Sequence, residues 1–256
     1  MVDLDCESAD SAMRSLAIIY GTEVQELKAF FTSIDLEAHV RANNPELPSD
    51  QELQRLLELA VGPQQKTISK TLWFHLTRVP IGTTFEDGIL PLNEALPKVW
   101  AMLDGVFKGT PHQGRLRQMH QEGVMNFHYG LKVPDPIHWG PYAMLVRDIA
   151  YCADSAGNHD YLKIPEIVED ICNGYASRFN ENIQSAVEQA LVPMIVKFWM
   201  SEHKHMYGLT SAISYAYFTQ NNKELRGSAN TCFDGQGNRV PAERIVSVLK
   251  ANPRNA

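Results

Sequence analysis

The stretch Trp73-Phe74-His75-Leu76-Thr77-Arg78 and its continuation Phe85-Glu86-Asp87-Gly88-Ile89-Leu90-Pro91 set polar residues into apolar sequence in a pattern that suggests chemistry. From Thr71 to Thr77 the residues are β-branched, aromatic or aliphatic, which favours a strand. Side chains alternate between the faces of a strand, so Leu72, Phe74 and Leu76 share one face and Trp73, His75 and Thr77 the other. His75 and Thr77 then project the same way, roughly 7 Å apart along the strand. An imidazole beside a hydroxyl can grip a sugar or an amide. The same two residues can equally be an ordinary core pair, and both readings stay open at this level.

Histidine offers a second constellation. His203-Lys204-His205 follows Glu202, but residues two apart on a helix do not face each other, so they make a poor metal pair. His112, His120, His128 and His138 lie in a segment rich in Gly and Pro, at spacings of no metal motif. A metal-dependent hydrolase built on them with Asp135 or Asp148 is a possible chemistry without a motif behind it. A third group is basic: Arg115, Arg117 and Lys132 around His120 have the chemistry to hold phosphates, though solvated loop charges explain them as well. There is no serine nucleophile elbow, no phosphate-cradling glycine loop and no G-x-G-x-x-G.

The elements that must position these residues form an α+β pattern. Helical spacing runs from Ser8 to Gly62, and Ser49 with Glu52 reads as a capping box. Gly62-Pro63 then breaks the pattern before a strand over Thr67 to Thr77. Leu92 to Val106 reads as a helix with Pro97 in its first turn. Lys108 to His138 is poorly periodic and predicts a long irregular segment with a short strand near Val124 to Tyr129. Tyr142 to Tyr151 reads as a strand, and Tyr161 to Val168 as a second short strand or as a strand running into a helix near Pro165. Phe179 to Tyr207 carries Ile183, Val187, Leu191, Ile195 and Phe198 and reads as a long helix, kinked at Pro193. Pro241 opens a final helix carrying Ile245, Val246 and Leu249. The expected fold is a central mixed or split β-sheet with helical N-terminal and C-terminal parts. The expected division is a helical subdomain over 1–65 and an α+β domain over 66–256.

Bulk properties narrow the function classes. The chain has 256 residues and a formal net charge of −7, which disfavours a general nucleic-acid binder. Cys6, Cys152, Cys172 and Cys232 are scattered without a CxxC, as in reduced, intracellular proteins. The acidic N-terminus lacks a basic segment followed by an apolar run, and no stretch of about 18 apolar residues exists. A cytoplasmic protein without a membrane span is the expectation.

The order of motifs resembles the ADP-ribosyltransferase superfamily, in its His–Tyr–Glu branch. His75 and Thr77 match the branch's His-x-Ser/Thr strand, and Gly88-Ile89-Leu90-Pro91 matches the turn after it. Tyr142, in Gly140-Pro141-Tyr142-Ala143, stands for the tyrosine, and Glu166, in Ile164-Pro165-Glu166, for the glutamate. The resemblance covers about residues 70 to 170. It implies NAD as the substrate. His75 would bond a ribose hydroxyl, Thr77 and Arg78 would support the cofactor pocket, and Tyr142 would stack on nicotinamide. Glu166 would stabilise the positive charge that develops as nicotinamide leaves. The resemblance also implies an unknown protein or nucleic-acid acceptor, a toxin or phage-defence role, and a neutralising protein partner. A different class, a non-catalytic helical interaction protein with the sheet as scaffold, predicts an exposed apolar helix face instead.

Overall fold

The computed structural model describes residues 1–43, 49–201 and 207–251. The fold is α+β. Strand β1 (Val2–Leu4) leads into helices α1 (Ala9–Tyr20), α2 (Val24–Ser33), α3 (Leu36–Asn43) and α4 (Ser49–Val61). Strand β2 (Ile68–Val79) is followed by helices α5 (Leu92–Val106), α6 (Pro111–Glu122) and α7 (Phe127–Lys132) and by strand β3 (Tyr142–Met144). Next come α8 (Ala153–Ala156), α9 (Glu166–Phe179), α10 (Gln184–Ala190) and strand β4 (Val192–Met200). Helix α11 (Gly208–Gln220) and strands β5 (Cys232–Asp234) and β6 (Ile245–Lys250) complete the described chain.

The strands form one mixed sheet of order β5-β3-β2-β4-β6, with β1 added beside β2. β1 runs parallel to β2, with Val2 opposite Ile68, and β3 runs antiparallel to it, with Phe74 opposite Met144. Residues group into two compact units. One takes in Met1–Phe74, Ala143–Asn158 and Lys197–Phe233, the other His75–Tyr142, His159–Val196 and Asp234–Ala256.

In the first unit, α11 is the central helix. Every residue from Gly208 to Tyr217 is buried, which suits a helix that is apolar or small all round. Its polar groups find partners: Thr210 donates to Gln54 at 2.5 Å and Tyr215 to Asp148 at 2.7 Å. Helix α1 starts at Ser8, whose hydroxyl accepts from the Ser11 amide, and ends at Gly21 in the left-handed conformation. In the same unit Lys197 donates to Asp5 at 2.8 Å and to Glu7 at 2.7 Å. The second unit has its own core, built from Trp100, Leu103 and Phe107 of α5, Val168, Ile171 and Tyr175 of α9, and Val187 of α10.

Several expected elements differ, each for a physical reason. The helix expected over Phe179–Tyr207 is three elements. α9 ends at Phe179 because Asn180 turns left-handed, α10 follows, and Val192–Met200 is the strand β4. Ile183, Val187 and Leu191 do lie at helical spacing and are buried, and Ile195 merely continues that spacing into a strand. His203 and His205 fall outside the described residues. The strand expected near Val124–Tyr129 is replaced by α7, capped by the Asn126 side chain on the Tyr129 amide. Lys108–His138 is largely helical rather than irregular; α6 buries only Leu116 and Met119, so its sequence shows little helical periodicity. Tyr142–Tyr151 keeps three strand residues before a 3-10 turn over Arg147–Tyr151. Tyr161–Val168 is a turn running into α9. The final helix is a strand: only Ala242–Arg244 turns helically before β6. Leu92–Val106 is the helix expected, but Pro97 is its sixth residue and so lies in the second turn rather than the first.

Candidate functional site

Strand β2 is buried on both faces from Thr71 to Phe74 and is half-buried before that stretch and at His75. Leu72, Trp73, Phe74 and Leu76 are all buried, while His75 and Thr77, on the same face, are half-buried. The alternation that makes His75 and Thr77 co-facial therefore places them just past the buried middle of the strand, where it becomes accessible again.

His75 Nδ1 lies 2.8 Å from the main-chain oxygen of Tyr142. A carbonyl can only accept, so Nδ1 carries the hydrogen and donates it. Burial holds the imidazole below its usual pKa, and the bond to the Tyr142 carbonyl offsets part of that. Neutral His75 with hydrogen on Nδ1 leaves a lone pair on Nε2, and that atom can accept from a hydroxyl.

Tyr142 is 38% exposed, and its hydroxyl donates to the Ile137 main-chain oxygen at 2.8 Å. Its phenol pKa is raised by burial and then by the negative charges of Asp234 and Glu166. Tyr142 therefore contacts His75 through its backbone.

Glu166 opens α9, where a carboxylate suits the helix dipole. Both of its oxygens are engaged. Tyr161 donates its hydroxyl to Oε1 at 2.6 Å, and Lys132 Nζ lies 2.8 Å from Oε2. Lys132 also reaches Asp170 at 2.8 Å, one turn further along α9. Burial pushes the Glu166 carboxyl up, but the Lys132 and Tyr161 bonds outweigh it, and the net shift is downward. Lys132 shows the converse balance. Burial lowers its pKa, and the Asp170 and Glu166 bonds raise it further, so the ammonium stays charged. Glu166 is thus a half-buried, ionised carboxylate with a fixed plane.

Arg78 occupies the strand face of Phe74 and Leu76 rather than that of His75. Its guanidinium donates to the main-chain oxygens of Leu162 at 2.9 Å, Glu188 at 2.6 Å and Leu191 at 2.9 Å. Those bonds cap the end of α10 and anchor the loop before α9. Gly88, in the turn after the His75 strand, adopts φ +78, and a Cβ there would lie 2.0 Å from the Val240 oxygen. The glycine is required by that close approach, which sits beside the bridge between Ile89 and Val240.

The basic trio does not converge. Arg115 pairs with Glu181, Arg117 with Asp104, and Lys132 with Glu166 and Asp170. The loop histidines are likewise separate. His112 bonds the Tyr175 hydroxyl, His120 stacks on Trp100, and His128 packs on Phe127. Asp135 caps a short turn at Ile137, and Asp148 accepts from Tyr215. Among the described residues, no three His, Cys, Asp or Glu side chains are grouped as a metal-ligand set. Sequence reasoning had not paired Lys132 and Tyr161 with Glu166. The four-residue spacing of Glu166 and Asp170 on one helix face was the available signal, since a half-buried and a buried acid side by side call for a cation.

No described helix is long and apolar enough to cross a membrane. In comparisons with known proteins the chain matches no family model, no curated protein and no solved structure.

Proposed function

We propose that this protein is an NAD-dependent mono-ADP-ribosyltransferase-like enzyme acting on a protein or nucleic-acid acceptor. The observation that supports it is the hydrogen bond from His75 Nδ1 to the Tyr142 main-chain oxygen, which brings two of the three residues together.

In this reading His75 Nε2 accepts a hydrogen bond from a ribose hydroxyl, and the exposed Tyr142 ring supplies a stacking face for nicotinamide. The bond between ribose C1′ and the nicotinamide nitrogen breaks, and its electron pair leaves with nicotinamide. Positive charge then builds at C1′ and the ring oxygen. The Glu166 carboxylate, already ionised and oriented, stabilises that charge. An acceptor nucleophile forms the new bond to C1′ and loses its proton. Thr77 lines the His75 face, and Arg78 supports the site through the backbone rather than by touching the cofactor. A toxin or phage-defence role and a neutralising partner follow from the family resemblance alone.

The test is incubation with adenylate-labelled NAD and cell extract, comparing the wild type with Glu166→Ala. Label on a macromolecule with the wild type only is the expected result. No labelled acceptor and no nicotinamide release with the wild type would overturn the reading.

A second reading, a non-catalytic interaction protein, is favoured by one observation. Met125, Phe127 and Ile137 are 72%, 73% and 67% exposed, and Phe127 and Leu131 share a face of α7. Equal, background-level NAD turnover by wild type and Glu166→Ala, with co-purification of a partner lost in Phe127→Ser, would favour it.

A further inference from the structure

A cavity of about 320 Å³ lies in the first unit, between α3 and the end of α11. Its walls are mixed. Leu36, Val40 and Phe218 supply apolar surface, while Arg41, Lys223 and Arg226 supply three cations against one carboxylate, Glu37. Such local excess of positive charge stands out in a chain of net charge −7.

Two of the lining residues are arginines without a carboxylate partner among the described residues, as is Arg78, which is held by main-chain oxygens alone. Arg55, Arg115, Arg117, Arg147, Arg178 and Arg239 each pair with a carboxylate. Arg41 donates only its Nε, to the Glu37 main-chain oxygen, and has no carboxylate partner among the described residues. Arg226 likewise has no ion-pair partner among the described residues. Two exposed guanidinium forks, without carboxylate partners among the described residues, therefore line one cavity, each suited to bidentate contact with an oxyanion. Lys223 is held at the same wall, donating to the Tyr217 hydroxyl at 2.9 Å and lying over its ring. Tyr217 is itself buried, with its hydroxyl 3.5 Å from the Ile34 oxygen and 3.4 Å from the Leu36 amide.

We propose that this cavity binds a small organic oxyanion, a phosphate or carboxylate carried on an apolar or aromatic body. The size suits a small ligand, the apolar wall takes the body, and the cations take the head group. The inference is independent of the NAD reading, whose residues lie in the other unit.

The probe is phenyl phosphate, titrated into the full-length chain and followed by backbone amide NMR. Saturable shifts within residues 36–41 and 217–226 are expected. Arg41→Gln and Arg226→Gln should each weaken binding about tenfold, as expected for loss of a charged hydrogen bond. Val40→Phe, which fills the cavity and keeps its charge, should also abolish binding. Benzyl alcohol, with the same ring and no charge, should not bind, and inorganic phosphate should bind more weakly. Benzoate as tight as phenyl phosphate would assign a carboxylate-tolerant site, and weaker benzoate a phosphate site. Absence of saturable shifts, unchanged affinity in both arginine variants, or equal binding of benzyl alcohol or inorganic phosphate would overturn the proposal.

Discussion

His75 Nδ1 and the Tyr142 main-chain oxygen lie 2.8 Å apart, and this bond settles which imidazole nitrogen carries hydrogen. Because the Tyr142 oxygen cannot donate, the His75 Nε2 lone pair is free to accept. Burial keeps the ring below its usual pKa of 6.5. The His75 resonances should therefore titrate below 6.5, with nitrogen shifts of the Nδ1-protonated tautomer at neutral pH. Titration above 6.5, or hydrogen on Nε2, would contradict the assignment.

Stability should rise with pH through the acidic range. A His75 whose folded pKa is depressed binds fewer protons folded than unfolded, so its contribution is present above pH 6.5 and is lost as pH falls below it. Glu166 is also depressed in the fold, from 4.5. Its contribution is present above that value and is lost as pH falls through the folded pKa. Urea denaturation at pH 7.5, 5.5 and 4 should show His75→Gln losing less stability than wild type between 7.5 and 5.5. Glu166→Gln should lose less than wild type between 5.5 and 4. Parallel curves for all three proteins would refute the linkage.

Arg78 should matter for folding rather than for substrate. Arg78→Met removes three charge-assisted bonds and orphans carbonyls at the end of α10, costing about 2–4 kcal/mol in urea denaturation. Arg78→Lys should recover only part, because an ammonium lacks the planar fork. A loss under about 0.5 kcal/mol in Arg78→Met, the range of ordinary surface changes, would show that the three bonds are not holding α10.

Gly88→Ala should destabilise by roughly 1–3 kcal/mol, since alanine there is both strained at positive φ and driven against the Val240 oxygen. Thermal unfolding compared with Gly82→Ala separates the two causes. Gly82 also has positive φ, but nothing within 4 Å would meet its Cβ. Equal losses at both positions would mean that the close approach contributes nothing.

The parts readable in the sequence were those governed by local rules. The alternation along β2 and the full span of α5 follow from side-chain period. What escaped was decided at a distance. Val192–Met200 is a strand because it joins a sheet, although Ile195 continues the spacing of Ile183, Val187 and Leu191. Helix α6 is mostly polar and shows almost no stripe. In the candidate site, the co-facial His75 and Thr77 were legible. The partners of Glu166 were not, because Lys132 comes from α7, 34 positions earlier, and sequence spacing cannot bring it there.

The most direct test of the central claim is nicotinamide release from NAD by the purified wild type, His75→Gln and Glu166→Gln. The wild type should release nicotinamide, and Glu166→Gln should lower the rate about 10²–10³-fold with its fold intact by circular dichroism. His75→Gln should weaken NAD binding more than it slows the step. A wild type that releases no nicotinamide with or without extract, or a Glu166→Gln variant as fast as wild type, would contradict the account.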